Sequence, residues 1–169
     1  MPRWIAHWRR FRDSGSADAY LEGEWKERNW LNVPGPFYGA ETDTCCAGPA
    51  QAPANVLYDE FGQEFIWRQP RNSDEVRAVL DAAYQDPFRG YAWDGDDHWT
   101  AAAVGEWWAN RERVLKWIND RLQAQDHPLT TTVRAFREYI EGELEDDLSR
   151  YVAWLEERSV AAGESPARP

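Results

Sequence analysis

Hydrophobic residues along this chain recur mainly at the spacing of α-helices. Four apolar residues share one face of a helix that we predict over residues 3–12. A second helix is predicted over about residues 17–29, with Ser16 as its N-cap. A third begins near Asn72, where the run Asn-Ser-Asp-Glu is a typical helix start, and it ends before Pro87. The first half of the chain therefore predicts three helices of moderate length.

The C-terminal third predicts two long helices. Thr100 is a candidate N-cap for a helix through about Ala124, along which apolar positions step by four and three. The last helix is predicted over about residues 131–160. Its inward-facing residues are Val133, Phe136, Ile140, Leu144, Leu148, Tyr151 and Leu155. Because a short connection joins these two helices, we expect them to form an antiparallel helical hairpin.

Between the helices the sequence predicts one β-hairpin and two irregular loops. The predicted strands cover residues 55–59 and 63–68, and Gly62 suits the turn between them. Residues 30–54 are rich in proline and show no hydrophobic period, and residues 88–99 show none either. A loop as long as the first is typical of either a functional segment or partial disorder, and its aromatic residues, acidic residues and cysteines argue against simple disorder.

Together these patterns predict an α+β fold that is predominantly helical, with five helices, one small hairpin and two long loops. We predict one globular domain over residues 1–161 and a flexible tail over residues 162–169. No run of about 18 apolar residues occurs, so we expect no membrane span. The N-terminal residues lack the apolar core of a secretory signal, and we therefore expect a cytoplasmic protein.

Charge and tryptophan content narrow the classes of partner. The chain of 169 residues has 11 tryptophans, 30 acidic residues against 19 Lys and Arg, and a net charge of -11. This charge repels phosphate backbones and anionic lipids, which argues against direct binding of nucleic acid or membranes. It favours a basic protein partner, because opposite charge accelerates encounter. The alternative is that acidity serves solubility alone.

Exposed indole rings and clustered carboxylates are the candidate recognition groups. Indoles surround the second loop and the start of the following helix, and carboxylates recur about one turn apart on the last helix. The predicted binding residues are Trp93, Trp99, Trp107, Asp94, Asp97, Glu138, Glu141 and Glu145. An immunity protein or antitoxin that neutralises a basic toxin fits this charge, size and aromatic content. The alternative is that tryptophan fills the core.

An enzyme is the second hypothesis, with a site formed by the loops at residues 36–48 and 88–99. Asp94, Asp96 and His98 offer oxygen and nitrogen donors to a divalent metal. Turn formation and helix capping explain the same carboxylates without a metal. No other cofactor is predicted.

The same enzyme hypothesis has a cysteine variant. Cys45 is a candidate nucleophile, with His98 as its base and Asp96 as the group that orients the base. The adjacent Cys46 cannot easily close a disulfide with it, and both thiols are expected to be reduced in the cytoplasm. No cation lies near Cys45 in the sequence, so an inert thiol is the alternative.

A ligand-binding module is the third hypothesis. Clustered indole rings are typical of platforms for sugars and of aromatic cages for cationic small molecules. The sequence alone does not separate this class from a protein-binding surface.

Overall fold

The computed structural model describes Arg12 and residues 18–124 and 128–163. Six α-helices occur in these residues: α1 (Gly48–Gln51), α2 (Ser73–Gln85), α3 (Ala101–Ala109), α4 (Arg111–Ala124), α5 (Thr130–Glu141) and α6 (Leu144–Ala161). Four short strands accompany them: β1 (Tyr38–Gly39), β2 (Val56–Tyr58), β3 (Glu64–Ile66) and β4 (Tyr91–Ala92). The predominantly helical α+β class is confirmed. None of the helices described is long and apolar enough to cross a membrane.

Two predicted segments lie wholly or mostly outside the described residues. One is the helix over residues 3–12, of which only Arg12 is described. The other is the tail over residues 162–169, which is described only as far as Gly163. The division into a domain and a tail therefore stays a prediction.

The strands β2 and β3 separate two hydrophobic cores. They pair antiparallel within the predicted hairpin, with Leu57 opposite Phe65 and Val56 opposite Ile66. Because neighbouring residues in a strand point to opposite faces, the two pairs contribute to different cores. Leu57 and Phe65 pack with residues of α3 to α6, and Val56 and Ile66 pack with residues of α2. The hairpin therefore contributes side chains to both cores and connects them.

A second antiparallel pair forms between β1 and β4, with Tyr38 opposite Ala92. It brings the loops at residues 36–48 and 88–99 together, although both were expected to be irregular. The buried Asn32 connects this pair to the hairpin, because its Oδ1 accepts the N–H groups of Gly39 and Ile66, each at 2.9 Å.

The helix predicted over residues 17–29 is wrong. The segment has only short 3₁₀ turns at Asp18–Tyr20 and Trp25–Glu27, with extended backbone between them. The reason is tertiary: the N–H of Gly23 donates to the carbonyl of Tyr91 at 2.9 Å. Gly23 also approaches Gly90 so closely that a Cβ would lie 2.5 Å from its carbonyl oxygen. Pairing with the second loop replaces the helical hydrogen bonds here.

The two long C-terminal helices are each broken once. Thr100 caps α3 as predicted, since its hydroxyl accepts the N–H of Ala103 at 3.1 Å. The helix then ends at Asn110, whose side chain donates to the carbonyl of Glu106 at 2.8 Å. The last helix is interrupted at Gly142 and resumes at Leu144. The expected pair of continuous helices is therefore four helices.

The predicted antiparallel arrangement is retained despite these breaks. The helix α4 packs on α5, and α3 packs on α6, so the chain runs out through α3 and α4 and returns through α5 and α6. All seven residues predicted to face inward from the last helix are buried. In the first of the two predicted long helices, the break at Asn110 changes which residues face the core. In α4, Val114 and Trp117 are buried, whereas Leu115 and Leu122 are half-buried.

Candidate functional site

Two of the three indoles expected on the surface are buried. Trp93 is 6% exposed and Trp99 is 8% exposed. The ring of Trp93 packs edge-on against Phe37, with 6.4 Å between centroids, and that of Trp99 packs edge-on against Trp25, with 5.1 Å. The expectation of exposed rings is wrong at both positions, because the pairing of β1 with β4 folds the second loop inward. Trp107 is half-buried.

The carboxylates of the second loop bind separate structural partners. Asp94 accepts the hydroxyl of Tyr38 at 2.8 Å and lies 3.0 Å from Nε2 of His98. Asp96 is buried and accepts the hydroxyl of Tyr151 at 2.7 Å. These contacts tie the loop to β1 and to α6, and they do not direct the two carboxylates towards one point.

Asp97 forms the third of these links. It pairs with Arg12 at 3.2 Å and with Arg158 of α6. Partial burial alone would raise the pKa of Asp97, but the hydrogen bond from Arg158 and the charge of Arg12 lower it below its ordinary value. Asp97, predicted to bind a partner, is thus already neutralised by two arginines.

The metal hypothesis finds no support in this loop. Within the described residues, no group of three His, Cys, Asp or Glu side chains could hold a metal ion. Asp94, Asp96 and His98 were the predicted ligands. Instead of joining a ligand set, the His98 ring stacks on the indole of Trp25, with 4.8 Å between centroids and 12° between planes.

Cys45 is exposed, but its surroundings are those of a weak nucleophile. The adjacent carboxylate of Asp43 raises the pKa of the Cys45 thiol. Burial raises the pKa of Cys46, with further contributions from Glu64 and Asp43. Reactive cysteines need the opposite environment, a nearby cation or helix N-terminus that stabilises the thiolate. The structure therefore disfavours the cysteine-based enzyme.

Two clefts open around α3 and α4, and the adjacent residues Trp107 and Trp108 line different ones. The first, which we call the indole cleft, has a volume of about 520 Å³. Its main lining residues are Trp30, Trp99, Trp107, Arg28, Glu106 and Arg113. The second, which we call the acidic cleft, has a volume of about 300 Å³ and lies where the helix breaks meet. Its main lining residues are Trp108, Arg111, Glu112, Leu115, Glu141 and Glu145.

The acidic cleft brings two of the predicted carboxylates together. Glu141 ends α5 and Glu145 belongs to the first turn of α6, so the break between them prevents the single helical face that was expected with Glu138. Glu112 of α4 joins them from the opposite side. All four carboxylates are exposed. Glu138 remains on the surface of α5 without lining the cleft.

Cations only partly balance this region. Arg137 pairs with Glu141 at 3.0 Å, whereas Glu112 and Glu145 form no ion pair with any described residue. Arg111 lies over the ring of Trp108, 4.3 Å from its centroid. Arg111 thus covers one face of this indole, and the three carboxylates beside the half-buried leucine form a surface complementary to a further cationic side chain.

A buried acid beside the cysteines was missed by the sequence reasoning. Glu64 is 1% exposed, and it accepts the Tyr91 hydroxyl and, at 2.7 Å, the N–H of Gly48. Burial raises the pKa of Glu64 above its ordinary value, although both donors oppose the shift. The signal in the sequence was weak: a Glu in a predicted strand, directly before the apolar run Phe65-Ile66-Trp67. Because both of its oxygens already accept bonds, the role of Glu64 is to join three segments.

A buried amide was missed in the same way. Gln69 donates to the carbonyls of Val33 and Phe37 at 2.9 and 2.8 Å and accepts the N–H of Phe37 at 3.2 Å. The amide of Gln69 therefore supplies hydrogen-bond partners to the backbone at both ends of residues 33–37.

Comparison with known proteins assigns no family. The chain has no significant match to a protein-family model, to a curated protein or to a solved structure.

Proposed function

We propose that this protein binds a basic protein partner through the acidic cleft, in the manner of an immunity protein or antitoxin. The observation that carries the proposal is the meeting of Glu112, Glu141 and Glu145 around the half-buried Trp108. The proposal includes a cytoplasmic location, as expected from the sequence.

The chemistry of the cleft favours a guanidinium or ammonium group as the contact. Glu112 and Glu145 have no cation of their own among the described residues, so a cation from a partner can pair with them without displacing one. Arg111 already packs on Trp108, which indicates that this ring accommodates a guanidinium. The net charge of -11 adds long-range attraction, which accelerates association with a basic protein.

The test compares proteins retained from a host lysate by the wild-type protein and by a cleft variant. The variant carries Glu112→Gln, Glu141→Gln and Glu145→Gln, which remove three charges and keep side-chain volume. We expect the wild type to retain a protein of basic isoelectric point. With that protein purified, we expect the variant to bind it about tenfold more weakly or worse, mainly through slower association.

The matched control carries Glu27→Gln, Glu41→Gln and Glu156→Gln. These three residues are exposed and lie outside the cleft, so the control has the same net charge as the cleft variant. Retention of the partner by the control, with loss in the cleft variant, supports the proposal. Equal loss in both variants would assign the effect to total charge and overturn the site, and retention of no basic protein would overturn the function.

A further inference from the structure

The larger indole cleft has a charge pattern opposite to that of the acidic cleft. Two arginines line it, Arg28 from the segment before β1 and Arg113 from α4. Neither forms an ion pair with a described residue, although the chain has 30 acidic residues. In a protein with so many available carboxylates, two cations that face one cleft and form no ion pair with a described residue indicate a place for an external anion.

Both guanidinium groups lie over indole rings. Arg28 lies 4.0 Å from the ring centroid of Trp25, and one of its nitrogens donates to the Trp25 carbonyl at 3.0 Å. Arg113 lies 4.1 Å from the ring centroid of Trp30. A guanidinium that lies over an indole still has N–H groups free to bind a carboxylate or phosphate. The arginines are therefore positioned before any ligand binds, which lowers the entropic cost of binding.

The remaining lining groups favour a ligand that has a flat apolar surface and hydroxyl groups in addition to a negative charge. Trp107 is half-buried, and Trp30 is 37% exposed although Arg113 covers one face of its ring, so part of the indole surface is accessible to a flat apolar group. The exposed carboxylate of Glu106 is an acceptor for hydroxyl groups and repels a second negative charge. A volume of about 520 Å³ falls within the usual range for small-molecule sites.

We propose that the indole cleft binds a monoanionic sugar acid. The carboxylate of the ligand lies against the edges of Arg28 and Arg113, one face of its ring stacks on an indole, and its hydroxyls donate to Glu106. The two arginines argue against the cationic ligand that aromatic cages take. This site is independent of the proposed protein partner, because the residues that carry it line a different cleft.

The test is titration of the full chain with matched acids and neutral sugars, followed by calorimetry and tryptophan fluorescence. The probes are glucuronate against glucose and galacturonate against galactose. We expect at least one acid to bind about tenfold more tightly than its neutral partner, since only the acid can form charge-assisted bonds with arginine. Equal affinity within both pairs, or no binding by either acid at about 10 mM, would overturn the proposal.

Substitutions locate the binding in the cleft. We expect Arg113→Gln to weaken binding of the acid about tenfold and to leave weak binding of the neutral sugar unchanged. Arg77→Gln is the matched control, because Arg77 is an exposed arginine on α2 that pairs with Asp74 and lies outside the cleft. Circular dichroism of both variants checks that the fold is retained. Equal affinity of Arg113→Gln and the wild type for the acid would refute the site.

Discussion

Replacing Tyr91 by Phe tests whether the buried Glu64–Tyr91 pair stabilises the junction of three segments. The Tyr91 hydroxyl donates to one oxygen of Glu64, and the N–H of Gly48 donates to the other. Tyr91 is fully buried, and Glu64 is 1% exposed. The substitution keeps the aromatic ring and removes one of the two donors of a buried carboxylate.

The magnitude follows from the burial of the acceptor. A buried polar group that loses its partner destabilises a protein by about 1–3 kcal/mol, and a charged group lies at the upper end of this range or beyond. The ring of Tyr91 stays in place, so the cavity contribution is small. We therefore expect Tyr91→Phe to lower the free energy of unfolding by about 2–3 kcal/mol at neutral pH. Tyr84→Phe is the control: Tyr84 is 73% exposed, and a change within about 0.5 kcal/mol is expected.

The effect also depends on pH, with a defined sign. Burial raises the pKa of Glu64 above its ordinary value of 4.5, so the folded state binds this proton more tightly than the unfolded state does. The contribution of Glu64 to stability is therefore greatest at a pH below its pKa in the unfolded state. It falls as the pH rises through the pKa of Glu64 in the folded state. Without the Tyr91 donor, the pKa of Glu64 in the folded state rises further. The contribution of Glu64 to stability then continues to fall up to a higher pH. The destabilisation by Tyr91→Phe is thus expected to be smaller in acid than at neutral pH.

The assay is urea unfolding followed by tryptophan fluorescence at about pH 4.5, 6 and 7.5. A loss of stability that grows with pH supports the reasoning. The variant Glu64→Gln, which cannot ionise, should lack this group's contribution to the pH dependence. A constant difference between wild type and Tyr91→Phe at all three pH values would refute the assignment of a buried, ionisable Glu64.

Two further predictions concern the core and the cysteines. Phe136 is fully buried, with ring centroids of Phe65 and Trp67 each 6.0 Å away, so Phe136→Ala should lower the free energy of unfolding by about 3–5 kcal/mol in the same urea assay; a loss below about 1 kcal/mol would contradict this packing. The carboxylate of Asp43 raises the pKa of the exposed Cys45 thiol, so iodoacetamide at about pH 7 should modify Cys45 more slowly than free cysteine, as followed by intact mass. Faster modification would restore the nucleophile hypothesis.

The helical core was predictable because its signal is local. The inward-facing residues of the last helix repeat every three or four positions, and all seven are buried in the structure. The breaks were not predictable from this repeat. The apolar spacing in the sequence continues across Asn110, although the buried face shifts there, and Gly142 lies between Ile140 and Leu144, which are both buried. On the last helix the repeat identifies the side chains that face inward, but on neither long helix does it show where the backbone bends.

The organisation of the two loops depends on contacts distant in sequence. The strands β1 and β4 have two residues each, which is too short for alternation to be visible. The pairing of Gly23 with Tyr91 also overrides the local helical pattern of residues 17–29. The side-chain amide of Asn32 accepts backbone N–H groups that would otherwise need a backbone carbonyl. In the sequence, Asn32 is indistinguishable from any other polar loop residue. These features arise from tertiary packing that a single sequence does not encode in any short window.

The tryptophan count had two opposite consequences for locating a site. It correctly indicated more indole than the core needs, since Trp30, Trp107 and Trp108 retain access to clefts. It failed at Trp93 and Trp99, whose rings the second loop turns inward.

Net charge was also an incomplete guide to the location of binding sites. In the structure, basic and acidic residues concentrate in two different clefts, each lined by one of two adjacent indoles. Consecutive helical residues point about 100° apart, so Trp107 faces a cleft with two arginines and one carboxylate, and Trp108 faces one with three carboxylates and one arginine. A sum of -11 over the chain conceals this separation. The two clefts can therefore be tested independently: a charge removed at Arg113 should affect only small-molecule binding, and one removed at Glu145 only protein binding. Loss of both activities from either substitution would mean that the clefts act as one surface.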